Sequence, residues 1–196
     1  MSSQNNDNTG VPIRVLSSWL SKDVINSIGQ NTNYVNPIVR KNFKPTLMKV
    51  SFLLRILEFI SPTESMDITA ILSDSTHKIL SIFKFDPAIV DFENRYHQRM
   101  TYNTVNRIIH IKKANLKFMT IDSINKDFKL NLKGALDIVV LEILDFELFL
   151  IDEYRFVNSI ESRLEFVYDD PEYDQLCRTK TNTEIFNYDD GLINSP

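Results

Sequence analysis

The stretch from Lys49 to Phe85 constrains this chain more than any other. Lys49 to Ile60 reads KVSFLLRILEFI, dense in branched and aromatic side chains, and predicts a long strand. Ser61-Pro62-Thr63-Glu64 reads as a turn. Met66, Ile68, Ala70 and Leu72 then alternate with their neighbours as a second strand. Ser73-Asp74-Ser75-Thr76 makes the next bend, because short polar side chains can bond their own backbone there. Lys78 to Phe85 returns as a third strand. It directs Ile79, Ser81, Phe83 and Phe85 to one face and Leu80 and Ile82 to the other.

Beyond this meander, Asp86-Pro87 predicts a helix start, with the carboxylate capping free amides and Pro at the first helical position. Ile89, Phe92 and Tyr96 continue at helical spacing, and the helix is expected to end near Gln98. Residues 105–120 predict a fourth strand, broken around Lys113-Ala114-Asn115. Phe128, Leu130 and Leu132 predict a short extended piece. Asp137 to Leu150 predicts the last long strand, bent near Asp145. Three meandering strands, a helix, and two more strands give a mainly β chain with flanking helices, in the layout of a five-stranded OB-fold Greek-key barrel.

At the ends, Leu16, Trp19, Leu20, Val24, Ile25 and Ile28 recur at helical spacing before Gly29, and predict an amphipathic helix over 15–28. Trp19, the single tryptophan, suits either core packing or a partly exposed binding anchor. Residues 1–14 are expected to be disordered, 30–45 to form a long loop, 156–164 to carry a weak helix, and the acidic stretch 169–196 to be a disordered tail. The folded domain is thus expected over 15–168.

Charge is segregated along the chain. Residues 95–133 carry nine basic side chains against Asp122 and Asp127, and 134–196 carry four basic against fifteen acidic. The two segments either neutralise each other or form separate contact surfaces. Arg107, Lys112, Lys113 and Lys117 interleave with His110 and Phe118, the pattern of a groove for single-stranded nucleic acid. The same lysines equally suit a strand edge guarded against pairing, and a net charge of -4 argues against strong phosphate binding.

The three histidines and Cys177 form no metal-ligand spacing, and no phosphate loop, nucleophile elbow or dinucleotide fingerprint occurs. These absences argue for a binding protein that needs no cofactor or metal rather than an enzyme. No apolar run approaches the ~20 residues of a membrane span.

The series Ser73-Asp74-Ser75-Thr76-His77-Lys78-Ile79-Leu80, Phe92-Glu93, Arg99, Thr101, Thr104, Asn106 and Phe118-Met119-Thr120 resembles the family of the third Ever-Shorter-Telomeres subunit of yeast telomerase. Trp19-Leu20, Phe128-Lys129 and Phe166-Val167-Tyr168 extend the likeness over about 16–168. The resemblance implies an OB-fold like that of the telomerase-recruiting subunit of animal shelterin. It also implies a telomerase accessory role in telomere maintenance, at telomeres in the nucleus, as a monomer with direct nucleic-acid binding weak or absent. The implied partners are the N-terminal domain of the reverse transcriptase and other telomerase subunits. The implied contact surface comprises Trp19, Asp74, Glu93, Thr104, Asn106 and Asp152. Glu58 departs from the family's basic residue at that position.

Overall fold

The computed structural model describes residues 15–29, 53–134, 137–149 and 163–176. Helix α1 is Leu20–Gly29. The strands are β1 (Leu53–Pro62), β2 (Ile68–Ser73), β3 (His77–Phe83), β4 (Ile108–Met119), β5 (Ile138–Leu148) and the two-residue β6 (Glu165–Phe166). Helix α2 (Val90–Tyr96) lies between β3 and β4, and α3 (Ile121–Phe128) between β4 and β5.

β1 pairs antiparallel with both β2 and β4, β2 with β3, and β4 with β5. β3 then meets β5 in parallel register at Ser81↔Leu141, Ile82↔Glu142 and Phe83↔Ile143. The five strands therefore close into a mixed barrel, the expected OB topology. The break expected near Lys113 is a local irregularity: β4 runs through without interruption, and its register against β5 slips by one residue at Lys113, opposite Asp145, and is recovered at Ala114. Extra residues lie instead on β1, at shifts against β2 between Ile56 and Glu58 and between Phe59 and Ser61, and such insertions sharpen strand twist, as a small closed barrel requires.

The alternation expected for β3 decides which helices are needed. Ile79 and Phe83 point into the barrel core with Leu54, Ile56, Leu72 and Leu141. Leu80 and Ile82 point outward and would meet water, but Ile124 and Phe128 of α3 cover them together with Met119 and Val140. Phe128 is thus helical, not extended. Thr120 caps that helix by accepting the Ser123 amide, and Lys129 ends it in the left-handed region. Leu130 and Leu132, past the helix, are exposed.

Three further expectations need correction. Asp86 has extended backbone (φ −118°, ψ 121°), and its carboxylate caps nothing; a wide turn over Phe85–Ile89 leads into α2 instead, with the Ile89 amide on the Lys84 carbonyl. The helix after that turn ends at Tyr96, where His97 is left-handed. The core also extends past 168: residues 171–176 are helical, Tyr173 is buried, and Leu176 packs on the main core. The expectations for 1–14, 30–45, Lys49–Phe52, Asp152, most of 156–164 and the tail from 177 lie outside the described residues.

The segment from 163 onward closes the barrel seam. β6 runs parallel to the start of β3 at His77 and Lys78. Where β3 and β5 separate below Ser81, the Tyr168 hydroxyl accepts from the Leu80 amide (3.2 Å) and donates to the Val139 carbonyl (2.7 Å). The Tyr173 hydroxyl accepts from the Val139 amide at 3.2 Å. Backbone groups that the strands cannot offer each other are satisfied by two phenols, as burial demands.

Candidate functional site

α1 begins at Leu20, so Trp19 stands where a side chain would cap the first amides, and an indole cannot accept them. Asp74 does so from the β2–β3 turn. Its Oδ2 accepts from the Trp19 amide (2.8 Å) and the Leu20 amide (2.7 Å). Its Oδ1 accepts from the amides of Thr76 and His77, both at 2.8 Å, and so holds its own turn. Asp74 is completely buried and Trp19 nearly so, with the indole Nε1 donating to the Leu53 carbonyl at 3.3 Å. Trp19 thus joins α1 to β1, and Asp74 joins it to the β2–β3 turn.

Thr104 and Asn106 reach the same strand from the other side. Residues Tyr102–Thr104 form a 3₁₀ turn closed by reciprocal capping between Thr101 and Thr104, and Thr104 is buried by that role. Asn106 is exposed in the left-handed region (φ 68°), which asparagine tolerates better than most residues, and donates its amide to the Ile56 carbonyl at 2.7 Å. The Ile56 amide in turn donates to the Arg107 carbonyl at 3.0 Å.

These residues converge on one short piece of β1. Leu53 receives Trp19, Arg55 pairs with Ser73 beside Asp74, and Ile56 receives Asn106. Leu53 and Ile56 are three strand residues apart, about 10 Å. Glu93 lies farther round. Its helix docks on β5, where the Tyr96 hydroxyl accepts the Leu148 amide at 2.9 Å, and Leu148 is paired through Ile109 to Leu54. Glu93 is half-buried. Trp19 and Asn106 thus bond the same stretch of β1, Asp74 follows the β2 partner of Arg55, Thr104 stands two residues before Asn106, and Glu93 stands on the helix against β5; of these five only Asn106 is fully exposed, and Asp74 and Thr104 position chain rather than present side chains.

One of the four basic residues is engaged within the barrel wall. Lys112 pairs with Glu147 on β5 at 2.8 Å, with His110 at 3.3 Å and Arg95 at 4.0 Å from the same carboxylate. The hydrogen bonds from Lys112 and His110 hold Glu147 below the usual carboxylate range. Arg107 and Lys113 are exposed and Lys117 is half-buried. Among the described residues, no group of His, Cys, Asp and Glu is arranged to hold a metal ion, and no helix is long and apolar enough to cross a membrane.

Tyr102 is a residue that the sequence does not single out. It is 81% exposed at the tip of the capped turn. No periodic signal marks a tyrosine between Thr101 and Asn103.

Comparison with known proteins agrees with this architecture. The family model described as "Shelterin complex subunit, TPP1/ACD" matches residues 16–165. The chain is 56% identical over 170 residues to "Telomere replication protein EST3" of Candida albicans, covering 87% of this chain and 81% of that protein. It is 40% identical over 173 residues to the protein of the same name in Debaryomyces hansenii, covering 88% and 86%. A solved structure, "Est3 telomerase subunit in the yeast Hansenula polymorpha", superposes with a TM-score of 0.52 at 22% identity, covering 90% of this chain and 94% of that one, and so shares the fold. Sequence and barrel together make this chain a member of the EST3 family of telomere replication proteins, within the TPP1/ACD group of shelterin subunits.

Proposed function

We propose that this protein is an accessory subunit of telomerase that maintains telomeres by binding protein, and that it carries out no chemistry of its own. The observation that carries the reading is the 56% identity over 170 residues to a telomere replication protein. The reading includes direct contact with the N-terminal domain of the telomerase reverse transcriptase, residence at telomeres in the nucleus, and action as a monomer.

The geometry around β1 supports a protein-binding face. A clamp at Asp74, a capped turn at Thr101–Thr104 and two backbone bonds at Ile56 hold the surrounding surface rigid, so little ordering entropy is lost on binding. Trp19 and Asp74 act from beneath that face, Asn106 on it, and Glu93 at its edge. Asp152, outside the described residues, belongs to the same proposal.

The test is retention of the full chain on the immobilised N-terminal domain of the reverse transcriptase, with nuclease present throughout. Nuclease-resistant retention is expected. No retention, or retention lost with nuclease, rejects direct protein contact. In the second case, single-strand binding through Arg107, Lys112, Lys113 and Lys117 becomes the better account.

A further inference from the structure

We infer that α3 is a built-in occupant of the barrel's oligonucleotide face, seated where a single strand would lie and keeping that face sealed. The inference goes beyond the accessory reading and does not depend on it.

OB barrels take up single strands on the outer face of their second and third strands, flanked by the β1–β2 and β4–β5 connections. In this chain the β4–β5 connection contains α3, and the helix lies on that face. Ile124 and Phe128 are buried in one cluster with Leu80 and Ile82 of β3, and Ile71 of β2 and Ile60 of β1 pack against it.

Polar bonds tie the same helix to β1, β2 and the connection between them. The Ser61 hydroxyl donates to the Asp127 carbonyl at 3.0 Å. The Thr69 hydroxyl lies within reach of that carbonyl and of the Ser61 carbonyl, at 3.1 and 2.9 Å. A carbonyl that the end of a helix leaves unpaired is thus satisfied by the strands beneath it. Lys126 meets Glu64 of the β1–β2 connection at 2.8 Å. Past the helix, the Asn125 carboxamide accepts from the Leu132 amide (2.7 Å) and donates to the Leu132 carbonyl (2.9 Å), which fixes the way out.

The covered surface is unlike one made for bases. Faces that bind single strands offer aromatic rings for stacking and basic groups for the backbone. Ile60, Ile71, Leu80, Ile82, Met119 and Val140 offer neither, and they match the apolar side of α3. Phe166 and Tyr168, at the border of this cluster, stack on each other, and Lys78 lies over the Phe166 ring at 4.4 Å. Lys126 and Glu64 are both largely exposed, and such a pair contributes little. Buried apolar contact is therefore what holds the helix, which makes it a permanent part of the core rather than a gate.

The experiment uses the full chain with labelled isoleucine and leucine methyl groups, as wild type and as Lys126→Glu. Each is titrated at low salt with a thymidine homopolymer, a single-strand probe without sequence readout, and amide hydrogen exchange is followed alongside. In both proteins the amides from Ile124 to Phe128 should exchange within tenfold of those in β3. The probe should leave the methyl signals of Ile71, Leu80, Ile82 and Ile124 where they are. Shifts confined to β4 count for the seal, because the strand then avoids the covered face. Exchange from α3 more than tenfold faster than from β3 in the wild type overturns the inference, since the helix then opens on its own. The same loosening in Lys126→Glu alone overturns it too, because the ion pair is then the fastener. So does movement of those methyl signals in the wild type on adding the probe. Each of these results leaves the accessory reading intact.

Discussion

Asp74 joins two pieces of chain 54 residues apart, and its four short bonds to backbone amides are divided evenly between them. Because the group is fully buried, no water can replace a lost acceptor. In Asp74→Asn one oxygen still serves one pair of amides, while the other pair meets an NH₂ donor. The expected cost is about 3 kcal/mol, from one to two buried donors left unsatisfied at ~1–3 kcal/mol each. Glu93→Lys, on a half-buried surface position, should stay within about 0.5 kcal/mol. Urea unfolding measures both. An Asp74→Asn loss below about 1 kcal/mol would show that the clamp is not what holds α1. The sequence made Asp74 conspicuous as a turn residue but hid its second task, since a cap supplied from 54 residues away leaves no local spacing to read. The same limit applied to proline. Asp86-Pro87 looks like a helix start and is not one, whereas Asp170-Pro171, in a stretch without clear periodicity, precedes the helical residues 171–176, with the Asp170 carboxylate accepting the Glu172 amide at 2.9 Å. The dipeptide is the same in both places; the packing of the chain beyond it decides the outcome.

At the scale of elements, the strands were legible because their side chains alternate, and the helix α3 was not, because it is short and its apolar positions are few. Its necessity could still be felt in β3, whose Leu80 and Ile82 called for a cover that the expected extended piece at Phe128–Leu132 could not supply. The seam is the other element that the sequence concealed. Tyr168 and Tyr173 sit in an acidic stretch with little periodicity, yet their hydroxyls complete β3 and β5. Tyr168→Phe removes both bonds made by its hydroxyl, so hydrogen exchange at the Leu80 amide should quicken and stability should drop by about 1–3 kcal/mol. Burial also pushes the Tyr168 phenol far above its ordinary value. The unfolded chain therefore loses that proton first, near pH ~10. Stability from this group is fully present below that pH and falls as pH rises past it. Unfolding titrations between about pH 9 and 11 should show a decline that Tyr168→Phe makes shallower; identical slopes would mean that the hydroxyl is not enclosed.

Among the described residues, α1 and the segment from 163 to 176 are stitched across the barrel. α1 is bonded to the β2–β3 turn through Asp74 and to the segment after 163 through Ser21, whose hydroxyl donates to Asp170 at 2.7 Å. That segment lies against β3 and β5. With main core, flanking helices and seam sharing residues, partial unfolding has no natural boundary. Trp19, the only tryptophan and 7% exposed, reports on the α1 junction, while far-ultraviolet circular dichroism reports on the strands. The two signals should give coincident denaturant midpoints. A fluorescence midpoint well below the other would mean that α1 detaches on its own. The segregated charge also resolves at this scale: Glu147 of β5 gathers Arg95, His110 and Lys112, so part of the basic middle of the chain is answered by the acidic part beyond it.

The seam has a consequence for biogenesis. The Leu80 amide waits for a phenol 88 residues downstream, and the Val139 amide for one 34 residues downstream. During translation, these two amides find their partners only once Tyr168 and Tyr173 have left the ribosome. A premature stop shortly before Tyr168 would leave the seam between β3 and β5 unclosed, an edge open to pairing with other chains.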